Sequence, residues 1–71
     1  MTEADRKKIE RAAQLGKAAF DAGKMCVPAH DPAVMGLLKG KQVGDPATVA
    51  ILDAWLRAWH TANLAAPVEG L

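Results

Sequence analysis

The chain contains few of the residues that build large cores, disulfides or membrane spans. Its 71 residues include one phenylalanine, two tryptophans, no tyrosine and one cysteine. A single cysteine excludes an internal disulfide and is typical of proteins from a reducing compartment. No apolar run approaches the ~18 residues of a membrane-spanning helix, and none follows the charged N-terminus as in a signal peptide. We therefore expect a cytoplasmic protein with no membrane contact.

The sequence also lacks the residue patterns of most catalytic and cofactor sites. It has no glycine-rich phosphate loop and no pair of carboxylates framed by apolar segments. Cys26 and His30 are spaced like half of a metal site, but a structural zinc site needs four ligands, and His60 is predicted on the polar face of the last helix. No third group is evident to orient Cys26 and His30 for nucleophilic catalysis. We predict no enzymatic activity, cofactor, metal site or small-molecule substrate. Cys26 is expected under a loop and His30 in solvent. A zinc site shared by two chains is the lesser alternative.

The small size of the chain limits the core that it can build. Although 51% of the residues are apolar, many of these are alanine, and a chain of this length is near the lower limit for a self-sufficient domain. Self-association would bury additional apolar surface. We therefore expect one domain over residues 1–71 that forms a homodimer, with Trp55 among the contacts.

Small and apolar residues recur at three- and four-residue steps, which predicts an all-α fold. The first helix is predicted over about 3–22, capped by Thr2 with Asp5 and ended by Gly23. Asp-Pro pairs at 31–32 and 45–46 each place an acidic cap before a proline at the first helical position. They predict a short helix over about 32–39 and a long helix over about 46–64, with a tail at 65–71. The expected architecture is a helical hairpin of two long helices with the short helix in its connector.

The last helix is predicted to be apolar over half its circumference, which is wider than one packing surface requires. Its first apolar seam is Val49, Leu52, Leu56, Trp59 and Asn63, and its second is Ile51, Trp55, Ala58 and Ala62. One seam can pack against the first helix, where Gly16 permits close approach at a cost of about 1 kcal/mol in helix propensity. The other seam is available to pack against the short helix, a second copy of the chain or a target protein. Predicted helix-packing residues are Gly16, Ala19, Phe20, Leu52 and Leu56; predicted interface residues are Val34, Met35, Leu38, Ile51, Trp55 and Trp59.

Basic residues are concentrated in the first third of a chain whose net charge is only +1. Residues 1–24 carry six Lys and Arg against four Asp and Glu, whereas residues 25–71 carry three against four. Cations at helical spacing can neutralise phosphates of folded RNA, with binding that depends on salt and on shape. The alternative is a solvated helix face that neighbouring acids partly neutralise. The candidate RNA-binding residues are Arg6, Lys7, Lys8, Arg11, Lys17 and Lys24.

Two segments, about residues 5–28 and 50–64, share a pattern that begins at Glu10-Arg11-Ala12, continues through Met25-Cys26 and ends at Trp59 and Ala62. This pattern resembles the ribosome modulation factor family of small bacterial proteins. The outline of that family is E-R-A-x-Q-x-G-x-x-A-x-x-A-G, then M-C near a proline, then W-L-x-x-W-x-x-A. The chain departs from the family in being nearly neutral, in a longer segment between the two blocks, and in Val27, which separates Cys26 from Pro28. The residues on the outline are Glu10, Arg11, Ala12, Gln14, Gly16, Ala19, Ala22, Gly23, Met25, Cys26, Trp55, Leu56, Trp59 and Ala62.

The resemblance implies a non-catalytic protein that binds the small ribosomal subunit and drives ribosomes into inactive dimers in slow-growing cells. The matched residues would then build the pair of helices, and the N-terminal cations would meet ribosomal RNA. Similar small proteins are also carried by phages and mobile elements. The alternative hypothesis is therefore a protein–protein interaction module, an inhibitor or adaptor of a host protein, that uses the same helices without RNA.

Overall fold

A computed structural model describes residues 2–65, which form three α-helices and a 3₁₀ turn. The helices are Glu3–Asp21 (α1), Pro32–Leu37 (α2) and Pro46–Ala65 (α3), and the 3₁₀ turn is Pro28–His30. These residues contain no strand, so the predicted all-α class is confirmed for this part of the chain. Ala65, the first residue of the predicted tail, is the last residue of α3; the rest of the tail lies outside the described residues.

Local sequence signals set the ends of the helices. Thr2 and Asp5 form a capping box, in which each side chain accepts a hydrogen bond from the backbone N–H of the other. Gly23 ends α1 at a φ of 74°, a left-handed conformation that glycine adopts without strain. Asp31 and Asp45 accept hydrogen bonds from the N–H groups of Ala33 at 3.0 Å and Ala47 at 2.9 Å, and therefore cap α2 and α3.

The two long helices run in the same direction. At one end, the ammonium group of Lys41, five residues before α3, lies 2.8 Å from a carboxylate oxygen of Asp5 in the first turn of α1. Farther along both helices, Gly16 lies against the backbone of Trp55. The ring centroids of Phe20 and Trp59 are 5.3 Å apart. Contacts therefore advance in the same order along both helices.

This direction determines how the connector runs. Because α1 and α3 begin at the same end of the molecule, residues 22–45 must return along the pair before α3 starts. The predicted pair of packed long helices is confirmed. It differs from a simple up-and-down hairpin in that the connector, and not the second helix, makes the return.

The core lies between the long helices and the returning connector. Its buried side chains are contributed by all three helices: Ala12, Ala19, Val34, Ile51 and Trp55. A Cβ atom added to Gly16 would overlap the carbonyl oxygen of Trp55, so the helices approach more closely here than a side chain would allow. The predicted packing residues Phe20, Leu52 and Leu56 are each partly buried, and Leu56 packs against the core.

Three residues predicted at an interface are instead inside the chain's own core. Val34, Ile51 and Trp55 each have 0% of their surface exposed. The interpretation of Trp55 as a dimer contact does not hold in this structure, because its ring is enclosed by α1 and the connector and no partner could reach it. Of the other predicted interface residues, Met35 is exposed, whereas Leu38 and Trp59 are partly buried and pack against the core.

Candidate nucleic-acid interface

The helical positions of the predicted RNA-binding cations divide them into two groups. At about 100° per residue, Lys7, Lys8 and Arg11 fall within about 100° of one another on α1. Arg6 and Lys17 lie on the other flank of the same helix. Three acids, Glu3, Glu10 and Asp21, fall between the two groups, and Lys24 follows the end of the helix. The six cations therefore do not form one continuous face.

The two groups also differ in their ion pairs within residues 2–65, although Arg6 of the second group forms none. Lys17 forms an exposed ion pair with Asp21 at 2.8 Å, one helical turn away. Arg11 donates a hydrogen bond to the side chain of Gln14 at 3.2 Å, which leaves its charge in place. Within residues 2–65, no acid forms an ion pair with Lys7, Lys8 or Arg11. The flank with these three cations is therefore the stronger candidate for binding an anion.

The connector brings further cations to the same end of the molecule. The ion pair between Lys41 and Asp5 joins residues 36 positions apart, and only about 15% of either side chain is exposed. The hydrogen bond that Lys41 donates lowers the pKa of the Asp5 carboxyl and raises that of the Lys41 ammonium group. Because Lys41 is held at the first turn of α1, the segment Lys39-Gly40-Lys41 lies at the end of the molecule where α1 begins.

Sequence reasoning did not select Lys39 and Lys41. They lie in a turn with no helical periodicity, so no local pattern connects them to α1. Only the direction of α3, which carries the connector back to the beginning of α1, brings them to the same end of the molecule as Arg6, Lys7, Lys8 and Arg11.

Both long helices present their N-terminal ends at this basic end. A helix N-terminus carries a partial positive charge from its aligned peptide dipoles. Six of the nine Lys and Arg residues lie here, in residues 6–11 and 39–41, together with the acids Glu3, Asp5, Glu10 and Asp45. Glu3, Asp5 and Asp45 already lie at these helix N-termini, and Lys41 is paired with Asp5, so the attraction for an anion comes from the excess of two cations over acids. We call this the basic end: Arg6, Lys7, Lys8, Arg11, Lys39 and Lys41.

The opposite end of the helix pair is fixed by the tryptophans. The indole N–H of Trp59 donates to the backbone carbonyl of Lys24 at 3.1 Å, and the indole N–H of Trp55 donates to the carboxylate of Asp31 at 2.9 Å. Each tryptophan therefore packs with its ring and holds the connector with its nitrogen. Both tryptophans, which are predicted as interface residues, therefore act in packing within the chain.

An open groove lies between the second half of α1 and the start of the connector. Its volume is about 560 Å³, and its walls are mostly apolar, with Lys24, His30 and Asp31 as its charged or titratable members. Met25, on its rim, has 68% of its surface exposed. The groove is large enough to accept a side chain or a short segment of another protein.

Cys26 is paired with a histidine that the sequence did not suggest. Its Sγ atom lies 3.5 Å from Nε2 of His60, on α3, whereas His30 lies on the groove. The prediction placed His60 on the polar face of α3, where it is indeed exposed, but did not place the connector against that face. No group of three or more His, Cys, Asp or Glu side chains in residues 2–65 is arranged to hold a metal ion.

None of the helices in residues 2–65 has the length and apolar character needed to cross a membrane. Comparisons with protein-family models, curated proteins and solved structures found no match. The function must therefore be argued from the basic end, the groove and the contacts of the helix pair.

Proposed function

We propose that this protein is a non-catalytic regulator of translation, similar to the ribosome modulation factor family, that binds ribosomal RNA of the small subunit through its basic end. The observation that carries the proposal is the group of Lys7, Lys8 and Arg11 on one flank of α1, with which no acid in residues 2–65 forms an ion pair. The ion pair between Asp5 and Lys41 neutralises both of its members, but it brings Lys39 to the same end of the molecule.

The electrostatics of the basic end suit a polyanion better than a small anion. Its cations are spread over two turns of α1 and an adjoining turn of the connector, so they match a series of phosphates and not a single enclosed group. Surface charges farther apart than about 10 Å are screened at 0.1 M salt, so the local excess matters more than the net charge of +1. Each phosphate contact releases counterions, and affinity therefore falls as salt rises.

The packing of the helices is compatible with the resemblance to the family. The two sequence segments that carry the resemblance lie against each other in the structure, with Gly16 on Trp55 and the segment after Gly23 on Trp59. The matched residues therefore act mainly in building the helix pair. The basic residues, most of which lie outside the family pattern, are then available for contacts with RNA.

The proposal is tested by measuring binding to isolated small ribosomal subunits over a range of salt concentrations. We expect Lys7→Glu combined with Arg11→Glu to weaken binding at least tenfold and to lower the dependence of log Kd on log salt by about 2, since about two phosphate contacts are lost. The matched control is Arg57→Glu, which reverses an exposed charge on α3 that is already paired with Asp53.

Two results would contradict the RNA proposal. One is binding that is insensitive both to salt and to the double charge reversal. The other is equal weakening by Arg57→Glu, which would show a general effect of net charge. Circular dichroism should show unchanged helicity in each variant, because exposed charges contribute little to stability.

The groove supports a second candidate function, a protein–protein inhibitor or adaptor with a host protein as partner. The specific observation is the apolar lining beside the exposed side chain of Met25. In that case Met25→Glu should abolish capture of the partner, because apolar anchors carry most of the energy of an interface, while the charge reversals at Lys7 and Arg11 should have little effect. We also propose that the protein forms a homodimer through an exposed apolar face.

A further inference from the structure

Cys26 and His60 form a nucleophile–base pair that RNA binding does not use. The Sγ atom of Cys26 and Nε2 of His60 are 3.5 Å apart, within reach of a hydrogen bond involving sulfur. The cysteine is partly buried and the histidine is exposed, so small reagents from solvent can approach the sulfur from the side of the imidazole.

The neighbouring contacts hold this pair in place. The ring of His60 meets the ring of Trp59 edge-on, with centroids 5.4 Å apart and an angle of 80° between the planes. Trp59 in turn holds the carbonyl of Lys24, two residues before Cys26. The sulfur and the imidazole are thus supported from both α3 and the connector. A thiol beside a fixed base is the arrangement in which an imidazole can accept the proton when sulfur attacks an electrophile.

We propose that Cys26 is a site of reversible mixed-disulfide formation with low-molecular-weight disulfides, in which His60 acts as the base. The Cys26 thiol transfers its proton to Nε2 of His60 as sulfur attacks one sulfur of the small disulfide. A new S–S bond forms to Cys26, the original S–S bond breaks, and the other half leaves as a thiolate that takes up a proton. The Cys26 sulfur is oxidised and the leaving sulfur is reduced, so the step needs no further oxidant.

The modification also has a structural consequence. An adduct on Sγ occupies the space between the connector and His60, and therefore pushes residues 24–27 away from α3. The hydrogen bond from Trp59 to Lys24 is the nearest contact to be lost. The hydrogen bond from Trp55 to Asp31 lies four residues beyond this segment and should persist.

The first test measures the rate at which the folded protein reacts with the disulfide reagent 5,5′-dithiobis(2-nitrobenzoic acid). We expect His60→Ala and His60→Gln to react about tenfold more slowly than the parent chain, because the base is lost. His30→Ala, which removes the other histidine, should react at the parental rate. Added imidazole should restore part of the rate of His60→Ala, which a purely structural role of His60 would not predict.

Equal rates in the parent and both His60 variants would overturn the proposal, and so would faster reaction in both variants, which would show that His60 only shields the thiol. A second test uses oxidised glutathione and follows the two indole N–H signals by NMR. Formation of the adduct should shift the Trp59 signal and leave that of Trp55 in place. If the chain reacts with glutathione disulfide only under conditions that unfold it, Cys26 is not a site of this kind.

Discussion

Gly16 occupies a position at which α1 and α3 leave no space for a side chain. An added Cβ would overlap the carbonyl oxygen of Trp55, which is backbone and cannot rotate away. We therefore expect Gly16→Ala to destabilise the protein although alanine is the better helix former, and Gly16→Leu to cost about 1–3 kcal/mol or more in free energy of unfolding. Urea denaturation followed by circular dichroism measures both changes.

Gly36 provides the matched control for this prediction. It lies within α2, and a Cβ added there meets nothing within 4 Å. Gly36→Ala should therefore be neutral or should stabilise the protein by up to about 1 kcal/mol, the difference in helix propensity. If both alanine variants had the same effect, the close contact between Gly16 and Trp55 would not be present in solution.

Asp31 has two roles that can be separated by mutation. One carboxylate oxygen caps α2 through Ala33, and the other accepts the indole N–H of the fully buried Trp55. Asp31→Ala should therefore lose a cap, worth about 1 kcal/mol, and also leave a buried donor without a partner, worth about 1–3 kcal/mol more. Asp45→Ala removes a cap at Ala47 and a minor attraction to Lys41, but it leaves no buried donor without a partner. Equal losses in the two variants, measured by thermal and urea unfolding, would show that the bond to Trp55 contributes nothing.

At the scale of the elements, the ion pair between Asp5 and Lys41 links α1 to the connector and makes stability depend on pH. The pKa of Asp5 is lowered in the folded state, so its contribution is present above the unfolded value of about 4 and is lost as pH falls below it. The pKa of Lys41 is raised, so its contribution is present below about 10.4 and is lost as pH rises further. Lys41→Met should flatten both limbs of the stability profile, whereas Lys39→Met should leave them nearly unchanged.

The elements themselves could be predicted from the sequence, but their pairing could not. Thr2, Gly23 and the two Asp-Pro pairs act within four residues along the chain, so four of the six helix ends have a local cause. The contacts that build the candidate sites join residues 24 to 36 positions apart, as in Asp31 with Trp55, Cys26 with His60, and Asp5 with Lys41. They depend on the direction of α3 relative to α1, which apolar periodicity does not specify.

The direction of α3 also decides the place of Trp55, which is predicted at an interface but lies in the core. The sequence showed two apolar seams on α3 but not which one faces α1. In the structure the seam that contains Ile51 and Trp55 is buried, and the seam that begins at Val49 is left partly uncovered. The apolar side chains that α3 leaves exposed therefore lie on the side of Val49, and not on the side of Ile51 and Trp55 where the interface is predicted.

At the scale of the whole molecule, the partly uncovered seam of α3 is the face on which we expect two copies to associate. Val49 has 58% of its surface exposed and shares this face with the partly buried Leu52 and Leu56. Covering such a face removes apolar surface from water, at about 25 cal/mol per Å². We expect sedimentation equilibrium to show a dimer at micromolar concentration, and Val49→Lys to shift the population to monomer with little loss of helicity.

Val43→Lys is the control for this prediction, since Val43 is 91% exposed but lies in the connector and not on α3. Introducing the same charge there should leave the dimer intact, because a solvated side chain away from the contact loses nothing on dimerisation. Trp55→Ala should instead unfold the chain, because it empties the centre of the core and does not act on an interface. A parent chain that is monomeric throughout the micromolar range, or a dimer that Val49→Lys and Val43→Lys weaken equally, would show that the seam of α3 is not the contact between copies.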